Sequence, residues 1–178
     1  MPHDSWTLLN SRYIAKYKVL RLREDRYRFE PTRAEADFVV ADSADWALVI
    51  PITDDGEVVF IRQYRHGVRQ VVLEIPGGLL DPDEPAEETA ERELREETGY
   101  AAQNVRRLGQ LLPNPAHHNA HCHVFVAEGC RLAGDQRLDP FEQIEVVPRP
   151  LDAVDEMMRN GELCHAQVIA AFALMKVA

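Results

Sequence analysis

The sequence predicts an α/β protein in which a layered α/β/α domain follows a small antiparallel β module. Strand-like and helix-like segments alternate along residues 43–178, an order typical of a sheet covered by helices. Residues 1–42 contain strand-like segments only, so we expect them to form the β module. The total length of 178 residues suits one domain with a small extension.

The N-terminal module is predicted to contain one hairpin and one further strand. Residues 12–29 alternate apolar and polar side chains around the polar triplet Arg-Glu-Asp at 23–25, which predicts a hairpin that turns at this triplet. Residues 31–36 have the composition of a turn or linker. Residues 37–42 then return to a strand pattern.

The strands of the larger domain are predicted from apolar runs of strand length. Residues 46–52 are continuously apolar, which indicates a central buried strand. An Asp-Asp-Gly turn separates this run from the next predicted strand at 58–65. Further strands are predicted at 121–127 and 144–147.

Three helices are predicted in the same domain. The first spans residues 86–98 and ends at Gly99, whose freedom to adopt positive φ suits a left-handed cap. Its back carries an apolar i, i+4, i+8 stripe that can dock on the sheet. Residues 151–159 form an amphipathic pattern that stops at an Asn-Gly pair. Residues 166–176 are apolar almost all round, so we expect a buried helix there.

The first of these helices lies in the most acidic part of the chain. Residues 78–100 hold seven glutamates against two arginines, and like charges at i,i+4 destabilise a helix. Glu93, Glu96 and Glu97 stand at i, i+3 and i+4, so their carboxylates share one helix face. Hard cations such as Mg²⁺ prefer oxygen ligands of this kind. The pattern therefore predicts a divalent-cation site, with a solvated acidic face as the alternative.

The spacing of this stretch resembles the Nudix box. The matching positions are Gly78, Glu84, Arg92, Glu93, Leu94, Glu96, Glu97 and Gly99. Tyr100 departs from the pattern, which usually has an aliphatic residue there. The resemblance implies a mixed sheet between helices and hydrolysis of a diphosphate with Mg²⁺, for which Mn²⁺ could substitute. The metal ligands it implies are Gly77, Glu93, Glu96, Glu97 and Glu142.

The resemblance also implies which residues take part in catalysis. Arg92 precedes Glu93 and lies i,i+4 from Glu96, so it can hold the ligand carboxylates in place. In one subgroup of the Nudix family, which cleaves nucleoside diphosphate sugars, an acidic loop supplies a further metal ligand or the general base. The segment 139–146 resembles this loop, and Glu142 aligns with the ligand position. The slot of the usual base is occupied by Pro140, and Glu145 is the alternative. The predicted catalytic residues are Arg92, Glu96, Glu142 and Glu145.

A second pattern resembles the subgroup of Nudix enzymes that cleaves ADP-ribose and other nucleoside diphosphate sugars. RQYRHG at 62–67 precedes LEIPGG at 73–78, and Pro115 stands sixteen residues after Gly99. By strand alternation Arg62 and Tyr64 share one face while Gln63 and Arg65 share the other, so one arginine should reach the diphosphate. The residues expected to bind substrate are Arg62, Arg65, Glu74, Gly78 and Pro115. The base and the sugar remain open, because Asn-Pro-Ala stands where many ADP-ribose enzymes have Ser-Pro-Gly.

Charge and composition narrow the partners and the location. The net charge of −10 argues against nucleic-acid binding by bulk electrostatics. No apolar run approaches the roughly 20 residues needed to span a bilayer, and the N-terminus lacks a signal-peptide pattern. Three cysteines without CxxC spacing suggest reduced thiols in a cytoplasmic protein. The histidines between 117 and 123 are too closely spaced for the usual tetrahedral zinc site and suit a cleft-lining loop or plain surface.

The sequence leaves two alternative functions open, and the family resemblance implies an oligomeric state. A non-catalytic Nudix-like sensor is disfavoured by the intact box, and an enzyme that cleanses nucleoside triphosphates is disfavoured by the RQYR segment. The resembling subgroup exchanges its N-terminal module between subunits, which implies a homodimer with Trp6, Tyr13 and Tyr17 as interface candidates. The alternative is a module that folds back on its own subunit.

Overall fold

The computed structural model describes residues 5–178, which form two compact units. The first unit consists of residues 5–44 and 112–121, and the second consists of residues 45–111 and 122–178. The segment 112–121, which interrupts the larger unit in sequence, was not assigned to the smaller unit by the sequence patterns. The first four residues of the predicted N-terminal module lie outside the described part of the chain.

The first unit contains a three-stranded antiparallel sheet. Its strands are β1 (Trp6–Lys16), β2 (Arg21–Phe29) and β3 (Ala34–Asp42), in the order β1-β2-β3. The module of antiparallel strands is therefore present, with β3 beginning inside the segment predicted as a linker.

The position of the predicted hairpin turn is wrong. The chain turns at residues 17–20, whereas Arg23, Glu24 and Asp25 lie within β2. The charged triplet is stabilised in the strand by partners on β1. The Ser11 hydroxyl donates to Asp25 at 2.6 Å, and Arg12 pairs with Glu24 at 2.7 Å. Cross-strand pairing thus satisfies side chains whose local composition is typical of a turn.

The segment 112–121 is fastened to β3 by backbone and side-chain bonds. The Ala41 amide donates to the carbonyl of His117 at 2.7 Å, and the Asn119 amide donates to the carbonyl of Ala41 at 3.3 Å. The side chain of Asn119 donates to Asp42, which also accepts a bond from the Tyr13 hydroxyl at 2.7 Å. The loop that carries Pro115 is consequently held by β3, the edge strand of the small sheet.

The second unit is built on an eight-stranded mixed sheet, as expected. Its strands are β4 (Trp46–Thr53), β5 (Glu57–Arg65), β6 (Gln70–Glu74), β7 (Gly77–Leu79), β8 (Tyr100–Ala101), β9 (Asn104–Leu111), β10 (Cys122–Leu132) and β11 (Ile144–Pro150). The central order is β11-β5-β4-β10-β8, with β6 beside β5, β7 beside β4 and β9 beside β10. Only the β4–β10 pair is parallel among these described pairings.

Helices cover both faces of this sheet, which confirms the α/β/α arrangement. Helix α1 (Ala86–Thr98) ends at Gly99 with φ of 76°, as predicted. Its residues Ala90 and Leu94 are buried against Val49 of β4. Burial of this stripe follows from its i, i+4 spacing on the helix.

The opposite face of the sheet is covered by α2 (Val154–Arg159) and α3 (Ala166–Val177). A 3₁₀ turn at Leu151–Ala153 begins the first of these helices. The ring of Phe172 packs on Phe60 of β5, with ring centroids 5.8 Å apart.

The prediction that α3 is buried is wrong. Only Val168, Ala171 and Phe172 of this helix are fully buried, and Ala166, Ala173 and Lys176 are exposed. The helix docks one narrow face on the sheet, and its composition does not reveal which side is left outside. No helix within residues 5–178 is long and apolar enough to cross a bilayer.

Candidate active site

Two glycines bring the backbone of β7 close to α1. A Cβ atom on Gly77 would lie 2.3 Å from the carbonyl oxygen of Ala47, and one on Gly78 would lie 2.2 Å from Oε1 of Glu93. Both distances are shorter than any real Cβ contact, so position 77 has no room for a side chain, and a side chain at position 78 would displace the Glu93 carboxylate. The absence of these Cβ atoms lets the loop approach the carboxylates of the helix.

Arg92 is the centre of the charge network on the outer side of α1. Its Nε and Nη2 atoms each bind one oxygen of Glu84 at 3.0 Å, a bidentate pair. Its Nη1 atom donates to Glu93 at 2.7 Å and to Glu96 at 3.1 Å. One guanidinium thus fixes a carboxylate from the loop and two from the helix.

Glu84 is held in its ionised form by these contacts. The Arg92 guanidinium is the main cause that lowers the pKa of Glu84 to about 2, with further bonds from the Thr89 hydroxyl and the Asp81 amide. A carboxylate so bound stays charged throughout the neutral range. Glu84 therefore acts as the anchor that orients Arg92.

Glu97 lies at the buried end of the acidic face. It is 4% exposed and accepts one bond from the Gly77 amide at 2.9 Å. Burial is the main cause that raises the pKa of Glu97 to about 8, and the charges of Glu93 and Glu142 raise it further. Burial also raises the pKa of Glu93, against the opposing effect of Arg92. Glu93 and Glu97 therefore carry acidic groups that are shielded from water and that the charge of Glu142 disfavours further.

The described side chains are not arranged as a complete set of metal ligands. Within residues 5–178, no three His, Cys, Asp or Glu side chains are arranged as ligands around a common point. In the structure Arg92 holds Glu93 and Glu96, while Gly77 holds Glu97.

The loop before β11 brings Glu142 toward the same carboxylates. Gln136 anchors this loop by donating to the carbonyls of Glu97 at 2.6 Å and Ile144 at 3.2 Å. The Glu142 side chain is exposed and accepts a bond from the Asp139 amide at 3.0 Å. Its charge acts on both Glu93 and Glu97. Glu142 is thus near the acidic face without touching it.

The two arginines of β5 have different partners. Arg65 forms a bidentate pair with the buried Glu74, with two N···O distances of 2.7 Å. The pKa of Arg65 is raised mainly by Glu74 and also by Glu97 and Glu142, so its charge lies on the side of the acidic face. Arg62 instead pairs with Glu145 of β11 at 3.5 Å.

One expected site residue of the second unit, Glu145, lies apart from the acidic face. Glu145 is exposed and pairs with Arg62, so its carboxylate does not join Glu93, Glu96 and Glu97. Pro115 belongs to the first unit, where it lines a cavity of about 480 Å³.

The histidines between 117 and 123 are divided between the two units. His117 and His118 line the cavity of the first unit, and His118 lies 3.0 Å from the Ser43 hydroxyl. His123 lies in the second unit, 3.0 Å from Asp45.

Some residues of the site were not found from the sequence. Thr89 binds the Glu84 carboxylate, and Gln136 binds the carbonyl of Glu97 near the end of α1. No sequence motif indicated a role for either residue. Strand alternation places Gln63 on the face of Arg65 but indicates no role for it. Their contributions depend on contacts between elements that are distant in sequence.

The fold and the box geometry together define a phosphohydrolase domain of the Nudix type. The family model of the NUDIX domain matches residues 44–172. The chain therefore belongs to the Nudix family and is a Nudix hydrolase.

Individual relatives agree with this assignment, and one solved structure has the same fold. An ADP-ribose pyrophosphatase of Bacillus subtilis is 31% identical over 130 residues, which are 72% of this chain and 70% of that protein. A GDP-mannose pyrophosphatase of Citrobacter koseri is 30% identical over 175 residues, 88% of this chain and 87% of that protein. A crystal structure of an ADP compounds hydrolase matches with a TM-score of 0.84, covering 97% of this chain and 92% of that chain. Its 22% identity supports the fold alone.

Proposed function

We propose that this enzyme hydrolyses the diphosphate bond of a nucleoside diphosphate sugar to a nucleoside monophosphate and a sugar phosphate. The observation that carries the proposal is the buried carboxylate of Glu97, which faces Glu93 beside the Gly77–Gly78 backbone, with Arg92 fixed by Glu84 at the outer edge. The names of the relatives, ADP-ribose and GDP-mannose pyrophosphatases, support this class of substrate. ADP-ribose is the first candidate.

The chemistry of the donors supports a divalent metal, and Mg²⁺ is the ion we propose, with Mn²⁺ as a substitute. Burial raises the pKa values of Glu93 and Glu97, neighbouring carboxylates raise both further, and a cation placed among them would offset this repulsion. The proposed ligands are the carbonyl of Gly77 and the carboxylates of Glu93, Glu96, Glu97 and Glu142. When bound, the metal neutralises charge on the diphosphate and lowers the pKa of water.

The remaining residues are proposed to orient the substrate and to move one proton. Arg65 lies on the side of the acidic face and is proposed to meet the diphosphate, while Glu74 keeps its guanidinium in place. Arg62, Gly78 and Pro115 are the other proposed substrate contacts. In the reaction a water oxygen bonds to one phosphorus, the bridging P–O bond breaks, and the water proton passes to a carboxylate.

Glu142 is the carboxylate we favour as general base, as the alternative to its role as a metal ligand. Its charge acts on Glu93 and Glu97, whereas Glu145 is engaged with Arg62 on the neighbouring strand. Changing each residue to glutamine separates the two candidates. We expect Glu142→Gln to lower kcat by about a hundredfold, and Glu145→Gln by much less. Equal losses in the two variants would contradict the assignment.

The test of the proposed function is a substrate panel. Purified enzyme with Mg²⁺ is incubated with ADP-ribose, GDP-mannose and ATP, and the products are identified by chromatography and ³¹P NMR. We expect a nucleoside diphosphate sugar to have the highest kcat/KM and to give a monophosphate with a sugar phosphate. Faster cleavage of the triphosphate would favour an enzyme that cleanses nucleoside triphosphates. Binding of ADP-ribose without turnover would favour a sensor.

We also propose that the protein is a homodimer joined through its N-terminal sheet. The large apolar side chains exposed in the first 40 residues include Trp6, Tyr13 and Tyr17, which are 50%, 54% and 64% exposed. A three-stranded sheet with so much exposed aromatic surface is well suited to bury it against a second copy. Light scattering at micromolar concentration should give twice the chain mass of 20.3 kDa. A fully active monomer would exclude this arrangement.

We also propose that the protein is located in the cytoplasm. Cys122 and Cys130 are buried free thiols and Cys164 is an exposed one, so the structure uses no disulfide among its described residues. Free thiols are typical of a reducing compartment. Fractionation of the native cells, followed by detection with an antibody, would check this location.

A further inference from the structure

One buried polar atom has no hydrogen-bond partner among the described residues. It is the side-chain oxygen Oε1 of Gln63 in β5. Buried amide oxygens are almost always paired, because leaving one unpaired costs the full free energy of its desolvation. An exception at this place therefore calls for a functional explanation.

The position of Gln63 is fixed by the strand pairing around it. Phe60 faces α3, so alternation puts Ile61, Gln63 and Arg65 on the opposite face, which is the face covered by α1. Gln63 pairs with Val72 of β6 on one side and with Ile144 of β11 on the other. It therefore lies between the strand that carries Glu74 and the strand that follows Glu142.

Two side chains with donor groups near this position bind acceptors other than Gln63. Arg65 stands two residues along the same face and gives its Nε and Nη2 atoms to Glu74. Gln136 reaches Ile144, the neighbour of Gln63 on β11, but donates to backbone carbonyls. The remaining groups on this side of the sheet that act on Arg65 are carboxylates, Glu97 and Glu142, which only accept when ionised.

We propose that Gln63 is a positioning residue whose amide oxygen accepts a hydrogen bond from a water molecule of the metal's shell. This inference rests on the proposed function, since it takes the cation to bind at the Glu93 and Glu97 carboxylates.

The chemistry of the groups available at the site selects this partner. A phosphate oxygen is an acceptor and cannot pair with another acceptor. Water bound to a cation turns its oxygen to the metal and offers only its hydrogens, which suits an orphaned carbonyl. Mg²⁺ keeps several of its waters when it binds to proteins, so such a donor is available. By accepting a hydrogen bond from that water, Gln63 would orient one ligand of the metal. Groups that hydrogen-bond to metal ligands have this effect in other proteins.

The experiment compares three variants in the absence of substrate. Gln63→Met keeps the length of the side chain and removes the amide, Gln63→Glu keeps an acceptor, and Gln70→Met on the neighbouring strand β6 is an exposed control. Binding of Mn²⁺ is measured by electron paramagnetic resonance, and the melting temperature is measured with the metal removed. Steady-state kcat and KM for ADP-ribose complete the set.

We expect Gln63→Met to raise the Kd for Mn²⁺ about tenfold, the lower end of the effect seen when partners of metal ligands are lost. Its metal-free melting temperature should equal or exceed that of the wild type, because the unpaired oxygen is gone. Gln63→Glu should bind Mn²⁺ at least as tightly as the wild type, and Gln70→Met should be unchanged. The kcat of Gln63→Met should fall while its KM changes little.

Other outcomes overturn the inference in distinguishable ways. An unchanged Kd with a lower melting temperature in Gln63→Met would mean that the oxygen binds a structural water. An unchanged Kd with a raised KM would mean that it binds a hydroxyl of the substrate. If the wild type itself bound no Mn²⁺ and cleaved no nucleotide sugar, the proposed function would fail, whatever the variants did.

Discussion

Replacing Glu97 by glutamine separates the charge of this buried side chain from its shape. The amide oxygen of glutamine can still accept the bond from the Gly77 amide, which is 2.9 Å long in the wild type. What the change removes is an ionised group that burial and the neighbouring carboxylates disfavour. We therefore expect the metal-free variant to be more stable than the wild type at pH 8, and less active.

The size and direction of the effect follow from the pKa of Glu97. It rises from an ordinary value of 4.5 to about 8 on folding, so the folded state holds its proton longer than the unfolded state. The contribution of Glu97 to the stability of the metal-free wild type must then fall as the pH rises above 4.5, and the fall is nearly complete near pH 8. At about 1.4 kcal/mol for each pKa unit, the full loss is about 5 kcal/mol. Glu97→Gln lacks this loss.

The assay is urea unfolding with a chelator present at pH 5, 6.5 and 8. The midpoints of wild type and Glu97→Gln should lie closest together at pH 5 and diverge as the pH rises, with the variant more stable. Glu91→Gln, an exposed change on the same helix, is the matched control. A wild-type stability that did not fall relative to the variant between pH 5 and 8 would refute the account of the acidic face. Added Mg²⁺ should stabilise the wild type more than the variant.

Two further predictions concern the parts that hold the carboxylates. Arg92→Lys should lower kcat by roughly a hundredfold at saturating Mg²⁺, because an ammonium cannot replace the bidentate pair with Glu84 while also binding Glu93. Circular dichroism checks that the variant folds. Turnover close to that of the wild type would contradict the role of Arg92. Gly78→Ala should displace the Glu93 carboxylate, which lies 2.2 Å from the added atom, and weaken Mn²⁺ binding in calorimetry about tenfold. Gly134→Ala meets no atom within 4 Å and should bind Mn²⁺ normally, so equal losses would point to a general effect.

The sequence predicts best those features that are encoded locally. The first helix could be predicted because its apolar stripe has helical spacing and Gly99 supplies a residue able to adopt φ of 76°. The acidic face follows from the same helical geometry. The hairpin turn was misplaced because residues 23–25 are polar, and pairing with Ser11 and Arg12 could not be foreseen before the strand register was known.

The parts of the site that depend on strand register could not be predicted. The opposite faces of Arg62 and Arg65 follow from alternation, but their partners do not. The pairing of Arg65 with Glu74 depends on β5 lying beside β6, and that of Arg62 with Glu145 depends on β5 lying beside β11. For the same reason the unpaired oxygen of Gln63 is visible only in the folded chain.

The central claim is that the acidic face of α1 binds a divalent metal that is needed to cleave a nucleoside diphosphate sugar. The most direct measurement is kcat/KM for ADP-ribose before chelation, after chelation and after Mg²⁺ is added back. We predict that chelation abolishes turnover and that Mg²⁺ restores it, with a monophosphate and a sugar phosphate as products. Turnover that persists in the absence of any divalent cation would contradict the claim.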